Sequence, residues 1–596
     1  MSAAEQGAPP ADTRPYRSKK QQPCDACRRR RIGCIQSPGQ LACTLCRHRG
    51  DTCTYTSQPR AKKRQSKNDV SGHGSPNSGK QSPQALSLVA LPTHPFQSLV
   101  SSNGTDDDEP TSTALKTTLT PGQTCFYSGA SSDQDLYLLR HLPFNRENRF
   151  GKGNWRAWRL GENPFDSVYF TIYPDALLDA HIGAYDTAHV ENIIKPHHND
   201  LLDLYYRFVH PTLPILESRS AFEEALQKGM IPASLLAAVC AAAASFWSHS
   251  DTLHGVVPVD RHSLAEFLFS STGLETRTPT LRTVQALLLY LQLPPMIVRE
   301  PNHPGYWAST AQLVAIAQDI GLHVDPKGWN ILESERKLRR ILWWTVYMQD
   351  KWLAHWLGRP SHIQSHQFRV LPLTIADFMN EWGVLDGSSP SSTQSFVSLS
   401  HLTMVLSDIM DGFYSLNPDS NLNDKNALSF SESYRSELAE WSNRHIFTPG
   451  RPQSQDPNSY AVIFSYYATQ VSIQRGLSAR QTDLNSTSAL ADNMHLETLV
   501  EVLEAMDGRV SNGLWLSYCK GNIAIIGTFM ISLLLASIDD ATFHFRRNLL
   551  LRYQRVLNDL SGKFEFAALP SLRLNLMLRN LFEPPAQAGD AETSRI

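Results

Sequence analysis

Six of the nine cysteines in this 596-residue chain fall between Cys24 and Cys53. Their spacing, Cys24-x2-Cys27-x6-Cys34-x8-Cys43-x2-Cys46-x6-Cys53, repeats one triplet 19 positions further on. A two-residue gap lets two thiolates reach one ion, with Zn–S bonds near ~2.3 Å, and the third cysteine closes each half-site. Three ligands per half leave each tetrahedral zinc one short, so six thiolates complete two ions only if two sulfurs bridge. Separate four-ligand fingers would need eight ligands, and His48, the nearby histidine, lies inside the second six-residue loop. Between the outer cysteines the apolar residues are little more than Ile32, Ile35, Leu41 and Leu45. Metal must therefore supply the folding free energy, on the order of 10 kcal/mol or more, and the metal-free segment is expected to be unfolded.

The charge of the chain is divided in the same place. Residues 14–67 hold 15 of the 55 lysines and arginines but 2 of the 57 acidic residues, a net of +13 against −15 for the remainder. A basic head on an acidic body is an electrostatic footprint for nucleic acid, because cations near phosphates release condensed counterions. The odd cysteine count, with Cys125, Cys240 and Cys519 scattered, does not suit a secreted disulfide framework. The opening MSAAEQGAPPADTRPYRSKK lacks the apolar run of a secretory signal, so clustered thiols in a reducing compartment read as metal ligands. The stretch from Ile523 to Ile538 is short of the ~20 residues a membrane span needs, and is read as a buried core helix.

Composition then sets the organisation. Residues 1–22 are a polar, disordered N-terminus, and 23–55 form the cysteine module. Residues 56–130 hold a basic strip and a disordered linker rich in Ser, Pro, Gly, Thr and Gln, too poor in apolar residues to offset ordering entropy. From 131 to 582 apolar residues recur at helical spacing, as in Leu201, Leu204, Tyr205 and Phe208, or Leu313, Ala317 and Ile320. Ser234–Trp247, Leu281–Leu291, Leu338–Leu353, His495–Met506 and Phe543–Leu560 read the same way, so the body is expected to be all-α. Residues 583–596 are a polar, disordered tail.

The segments CDACRRRRIGC and CTLCRHRGDTCTY resemble the fungal Zn2Cys6 transcription regulators. That likeness implies a module of two short helices around two zinc ions, bridged by the first and fourth cysteines, here Cys24 and Cys43. It also implies that the helix after the second cysteine enters the major groove of double-stranded DNA and reads a CGG-type triplet. Arg30 and Arg31 match the base-reading pair by position, and Arg28 and Arg29 fall to phosphate. Two parallel hydrogen bonds from arginine to guanine O6 and N7 are worth ~1–3 kcal/mol of discrimination. Gly33 departs from the pattern, which often has Lys or Arg there. The bland role for four arginines is compensation of a cluster carrying a net charge of −2, which needs fewer than four. Arg60, Lys62, Lys63 and Arg64 form a nuclear-import candidate that could equally track DNA. Sustained heptads are absent from 65–130, so no zipper is expected there and the oligomeric state stays open.

In the body, AQLVAIAQDIGLHVD and ESERKLRRILWWTVYMQDKWLAHWLGRPSHI resemble the middle homology domain of the same regulators. SGASSDQDLYLL, IYPDALL and LLDLYYRFVHPTLPILESRSAF are similar to the TamA-type nitrogen-catabolism regulators, which implies a role in nitrogen-source utilisation, as a regulator or co-activator. Pairs such as His323 with Asp325, or His210 near Glu217, are read as caps and core residues rather than catalysts. No phosphate loop, GxGxxG, GxSxG or HExxH arrangement occurs, so no enzyme is expected. The leading reading is a nuclear, zinc-dependent, DNA-binding regulator of RNA polymerase II genes. The alternatives are a co-activator working through contacts with other transcription factors while its cluster is dispensable, or a regulator of another metabolic pathway. An effector pocket in the body is identified by no residue.

Overall fold

The computed structural model of the chain describes residues 24–29, 42–43, 46–47 and 52–54, and residues 122–582 apart from 154, 162–165, 180–186, 295–304, 381–384, 386–388, 417–425, 446, 449, 480–486, 507–509 and 511–512. The chain divides into two compact units, residues 1–109 and 110–596. In the first, a short helix, α1 (Asp25–Arg29), lies directly after Cys24.

The second unit opens with β-structure. Strands β1 (Gln123–Ser128), β2 (Arg149–Lys152), β3 (Trp155–Leu160) and β4 (Val168–Pro174) form an antiparallel sheet in the order β1-β4-β3-β2. Helix α2 (Leu136–Arg140) is capped by the Asp135 carboxylate, which accepts from the backbone N–H groups of Tyr137 and Leu138. The expectation of an all-α body is corrected here, and β1 begins inside the segment read as linker. The sheet has two apolar faces, as period-two alternation requires. Ala157 and Tyr169 pack with Leu139 on one side, while Trp158, Leu160, Phe170 and Ile172 pack with Trp329 and Ile331 on the other.

The helical layers follow. They comprise α3 (Asp175–Leu178), α4 (Thr187–Ile194), α5 (His198–Leu204), α6 (Arg219–Gln227), α7 (Ala233–Ala244), α8 (Arg261–Glu275), α9 (Leu281–Tyr290) and α10 (Tyr306–Asp319). After them come α11 (Glu333–Leu357), α12 (Pro390–Phe413), α13 (Ala427–Arg444), α14 (Pro457–Ser478), α15 (Thr487–Glu504), α16 (Cys519–Leu535), α17 (Asp540–Ser561) and α18 (Glu565–Phe582). The predicted helical faces fall on α5, α7, α9, α10, α11, α15, α16 and α17. Alanines let α8 and α9 approach α7 closely, and α7 is buried almost all round. Helix α11 carries the fully buried rings Trp343, Trp344 and Trp352. Each such ring removes roughly 150–250 Å² from water, about 4–6 kcal/mol at ~25 cal/mol per Å². Helix α16, the stretch weighed against a membrane span, is a core helix packed against α14 and α18. Among the described residues no helix is long and apolar enough to cross a membrane.

Two glycines fix junctions. Gly321 sits at φ +74°, and a Cβ there would lie 2.8 Å from Cζ of Phe170, so both conformation and space demand glycine where the sheet meets the α10–α11 turn. Gly358, at φ +63°, ends α11 in a left-handed cap, with the Arg359 N–H donating to the Ala354 carbonyl at 3.0 Å. The following loop is held by Asp350, whose buried carboxylate accepts from the backbone N–H groups of His362 (3.1 Å) and Ile363 (2.9 Å) and pairs with His362 Nδ1 at 2.8 Å. Lys351, also buried, donates to Ser361 Oγ at 2.8 Å and the Ile363 carbonyl at 2.7 Å.

Candidate metal centre

Each Cys-x2-Cys pair folds the same way. The Cys27 N–H donates to Cys24 Sγ at 3.4 Å, and the Cys46 N–H donates to Cys43 Sγ at 3.4 Å. These matched turns aim both sulfurs of a pair to one side, and they are the structural counterpart of the duplicated spacing. The two halves meet. Cys24 Sγ lies 3.9 Å from Cys43 Sγ and 3.6 Å from Cys46 Sγ, and Cys27 Sγ lies 3.7 Å from Cys43 Sγ. All four sulfurs fall within 4.8 Å of one another, and all four residues are buried.

Geometry and chemistry both fit a metal. Ligands ~2.3 Å from a tetrahedral zinc stand about 3.8 Å apart along each edge, which is the separation found here. Among the described residues, the packing that surrounds the thiols adds Ala26 and the half-buried Cys53, little apolar surface to hold them together. Cys53 Sγ accepts from the Cys43 N–H at 3.3 Å, and the Asp25 N–H donates to the Thr54 carbonyl at 2.8 Å, tying the end of the module to its beginning. Burial opposes ionisation of Cys24, but hydrogen bonds from the Cys27 N–H and from Cys27, Cys46 and Cys53 outweigh it and hold the thiol below its ordinary range. Burial pushes the Cys46 thiol up, with its cysteine neighbours adding to the effect. A cluster that discourages a second thiolate so strongly is one that a divalent cation would neutralise.

Of the other residues read as functional, Arg28 and Arg29 close α1, while their side chains, with Arg30, Arg31, Cys34, Arg60, Lys62, Lys63 and Arg64, lie outside the described residues. In the body the histidine–carboxylate pairs resolve into structural contacts. Asp325 accepts from Arg340 at 3.2 Å and from the Leu371 N–H at 2.7 Å, and His323 packs edge-on to Tyr127. Glu217 pairs with both guanidinium nitrogens of Arg282 at 2.6 Å. Arg339 bridges Glu335 and the Ile320 carbonyl above the Trp329 ring. What the sequence did not disclose is a cavity at the C-terminal end of α11.

Residues 202–443, from α5 to the end of α13, match the fungal specific transcription factor domain. Over 491 residues the chain is 25% identical to the transcriptional activator protein DAL81 of Saccharomyces cerevisiae, covering 74% of this chain and 50% of that protein. It is also 25% identical over 456 residues to an uncharacterized transcriptional regulatory protein of Schizosaccharomyces pombe, covering 68% and 66%. A shorter likeness, 29% over 193 residues, joins it to cutinase transcription factor 1 beta of Fusarium vanettenii, covering 31% and 21%. The chain thus spans half to just under two-thirds of the length of the first two relatives. No solved structure matches. Residues 202–443 thus resemble the fungal specific transcription factor domain, within a chain similar over most of its length to fungal transcriptional regulators.

Proposed function

We propose that this chain is a zinc-dependent, sequence-specific DNA-binding regulator of RNA polymerase II genes, acting in the nucleus. The observation that carries the reading is the pair of matched Cys-x2-Cys turns converging on one sulfur core. Six thiolates hold two Zn²⁺, with Cys24 and Cys43 as bridges. The bridging assignment is supported by the sulfur contacts of 3.6–3.9 Å, each of which includes Cys24 or Cys43. Zinc supplies the fold of the module and takes no part in recognition. Arg30 and Arg31 read guanines of a CGG-type triplet in the major groove, and Arg28 and Arg29 contact phosphate. Arg60, Lys62, Lys63 and Arg64 direct nuclear import. Utilisation of nitrogen sources is the pathway suggested by the likeness in the body. The chain is not an enzyme.

Duplex binding measured with two variants tests the reading. Arg31→Ala should weaken binding to CGG-containing DNA about ten- to a hundredfold while barely changing binding to scrambled duplex, whereas Arg29→Ala should weaken both alike. Equal losses on both DNAs for Arg31→Ala would remove the readout assignment. Unchanged target-gene expression in a Cys27→Ala strain would instead favour a co-activator working through protein contacts, a reading supported by relatedness that lies largely outside the cysteine module.

A further inference from the structure

At the C-terminal end of α11 lies a cavity of about 900 Å³, bounded by the Gly358–His366 loop, the end of α12, the C-terminal part of α14 and Ile525 of α16. This volume is at the upper end of the range of small-molecule sites. One wall is apolar, made by Trp356, Leu357 and Ile525. The rest is polar, and its charges are unevenly satisfied. Asp411 accepts from Ser365 Oγ at 2.6 Å. Arg475 is exposed and has no acidic partner among the described residues, and Arg359 is engaged by the face of Trp307 at 5.7 Å. By contrast, Arg340, Arg444 and Arg552 each have acidic partners.

The proton arrangement beside Arg475 is fixed. Ser472 Oγ donates its single proton to the Ala468 carbonyl at 2.9 Å, so at 2.6 Å it accepts from His355 Nε2–H. Burial, followed by the charge of Arg475, holds His355 down to about 3, so its imidazole is neutral. The cavity keeps two arginine charges against one aspartate, with no histidine cation among the buried groups of its wall.

We infer that this cavity binds a small organic monoanion, a carboxylic acid with an apolar body, its carboxylate held by Arg475 and Arg359 and its body laid against Trp356, Leu357 and Ile525. A guanidinium at the mouth of a half-apolar pocket gains most from a partner that brings one negative charge and surface to bury. The excess of one positive charge favours a monoanion over a phosphate ester. This site goes beyond the DNA-binding reading, and its test does not depend on it.

Calorimetric titration of the full zinc-loaded chain would use 3-phenylpropanoate as probe, with 3-phenylpropanamide, acetate and phenyl phosphate as comparisons. The acid should bind saturably at one site, and the amide and acetate at least about tenfold more weakly, a difference of roughly 1.4 kcal/mol. Arg475→Gln and Arg359→Gln should each weaken the acid by a similar factor. Because both side chains are exposed, the ligand-free melting temperatures of these variants should match that of the parent. The proposal is overturned by no saturable binding up to about 10 mM, a range in which even weak small-ligand sites fill. It is also overturned by equal binding of acid and amide, by phenyl phosphate binding more tightly than the acid, or by Arg475→Gln binding as the parent does.

Discussion

Single residues carry the metal site. Because Cys24 and Cys43 occupy the first position of each half and stand 3.9 Å apart, losing either should affect both ions, whereas Cys53 serves one half. Metal analysis of purified protein should return two zinc ions per chain for the parent, none for Cys43→Ser and one for Cys53→Ser; one ion in the parent would exclude a binuclear cluster. Histidines supply a second residue-scale prediction. Burial, then the charges of His401 and Arg444, hold His445 down to about 4, and His355 is held to about 3. Both are neutral in the fold and take a proton near 6.5 once unfolded, so below that pH the unfolded chain binds more protons. Stability should therefore fall as pH drops from about 6.5 toward 4. His445→Gln should flatten that slope in melting curves recorded across the range. The convergence of Cys24, Cys27, Cys43 and Cys46 was legible because each Cys-x2-Cys turn is local and its spacing is repeated. His355 was not, since its state depends on Ser472 more than a hundred positions away.

At the scale of elements, the end of α11 is the most constrained segment. Asp350→Ala would strip three hydrogen bonds from the 362–363 loop and leave the buried N–H groups of His362 and Ile363 without partners. The expected cost is about 3 kcal/mol, read as a lower midpoint in denaturant unfolding. Across the same corner, a Cβ on Gly521 of α16 would lie 2.4 Å from Cγ of Trp356. Gly521→Ala should destabilise the fold by ~1–3 kcal/mol through overpacking, and it should also displace the apolar wall of the cavity. Helices such as α16 were legible because their apolar periodicity is long. The sheet was not read from the sequence, although its signals were present. WRAWRL places Ala157 and Trp158 on opposite faces, VYFTIYP is rich in β-branched and aromatic residues, and Gly153, at φ +61°, follows β2 directly before the antiparallel β3. Strands of four to seven residues give too short a pattern to stand out against the helical periodicity of the long segments that follow. The cavity was illegible for a further reason, since four elements separated by up to 170 positions each contribute a few residues to it.

For the whole molecule, separation into two units predicts separable responses. A chelator should abolish structure and DNA binding in the cysteine module, because metal binding there is folding free energy. The thermal transition of the helical body, followed by far-ultraviolet circular dichroism, should keep its midpoint; a parallel drop would mean that zinc also supports the body. The contact between sheet and helices has a different consequence, for the chain as it is made. Trp158, Phe170 and Ile172 are covered by Trp329 and Ile331, and Phe170 lies against Gly321. A ribosome releases residues 123–174 well before it has synthesised the turn that seals them. For the time taken to add some 150 residues, roughly ten to thirty seconds at ~5–20 residues per second, the nascent sheet presents an uncovered aromatic face. Its completion is therefore timed by translation, and slow codons between 175 and 331 would lengthen the interval during which chaperones must shield it.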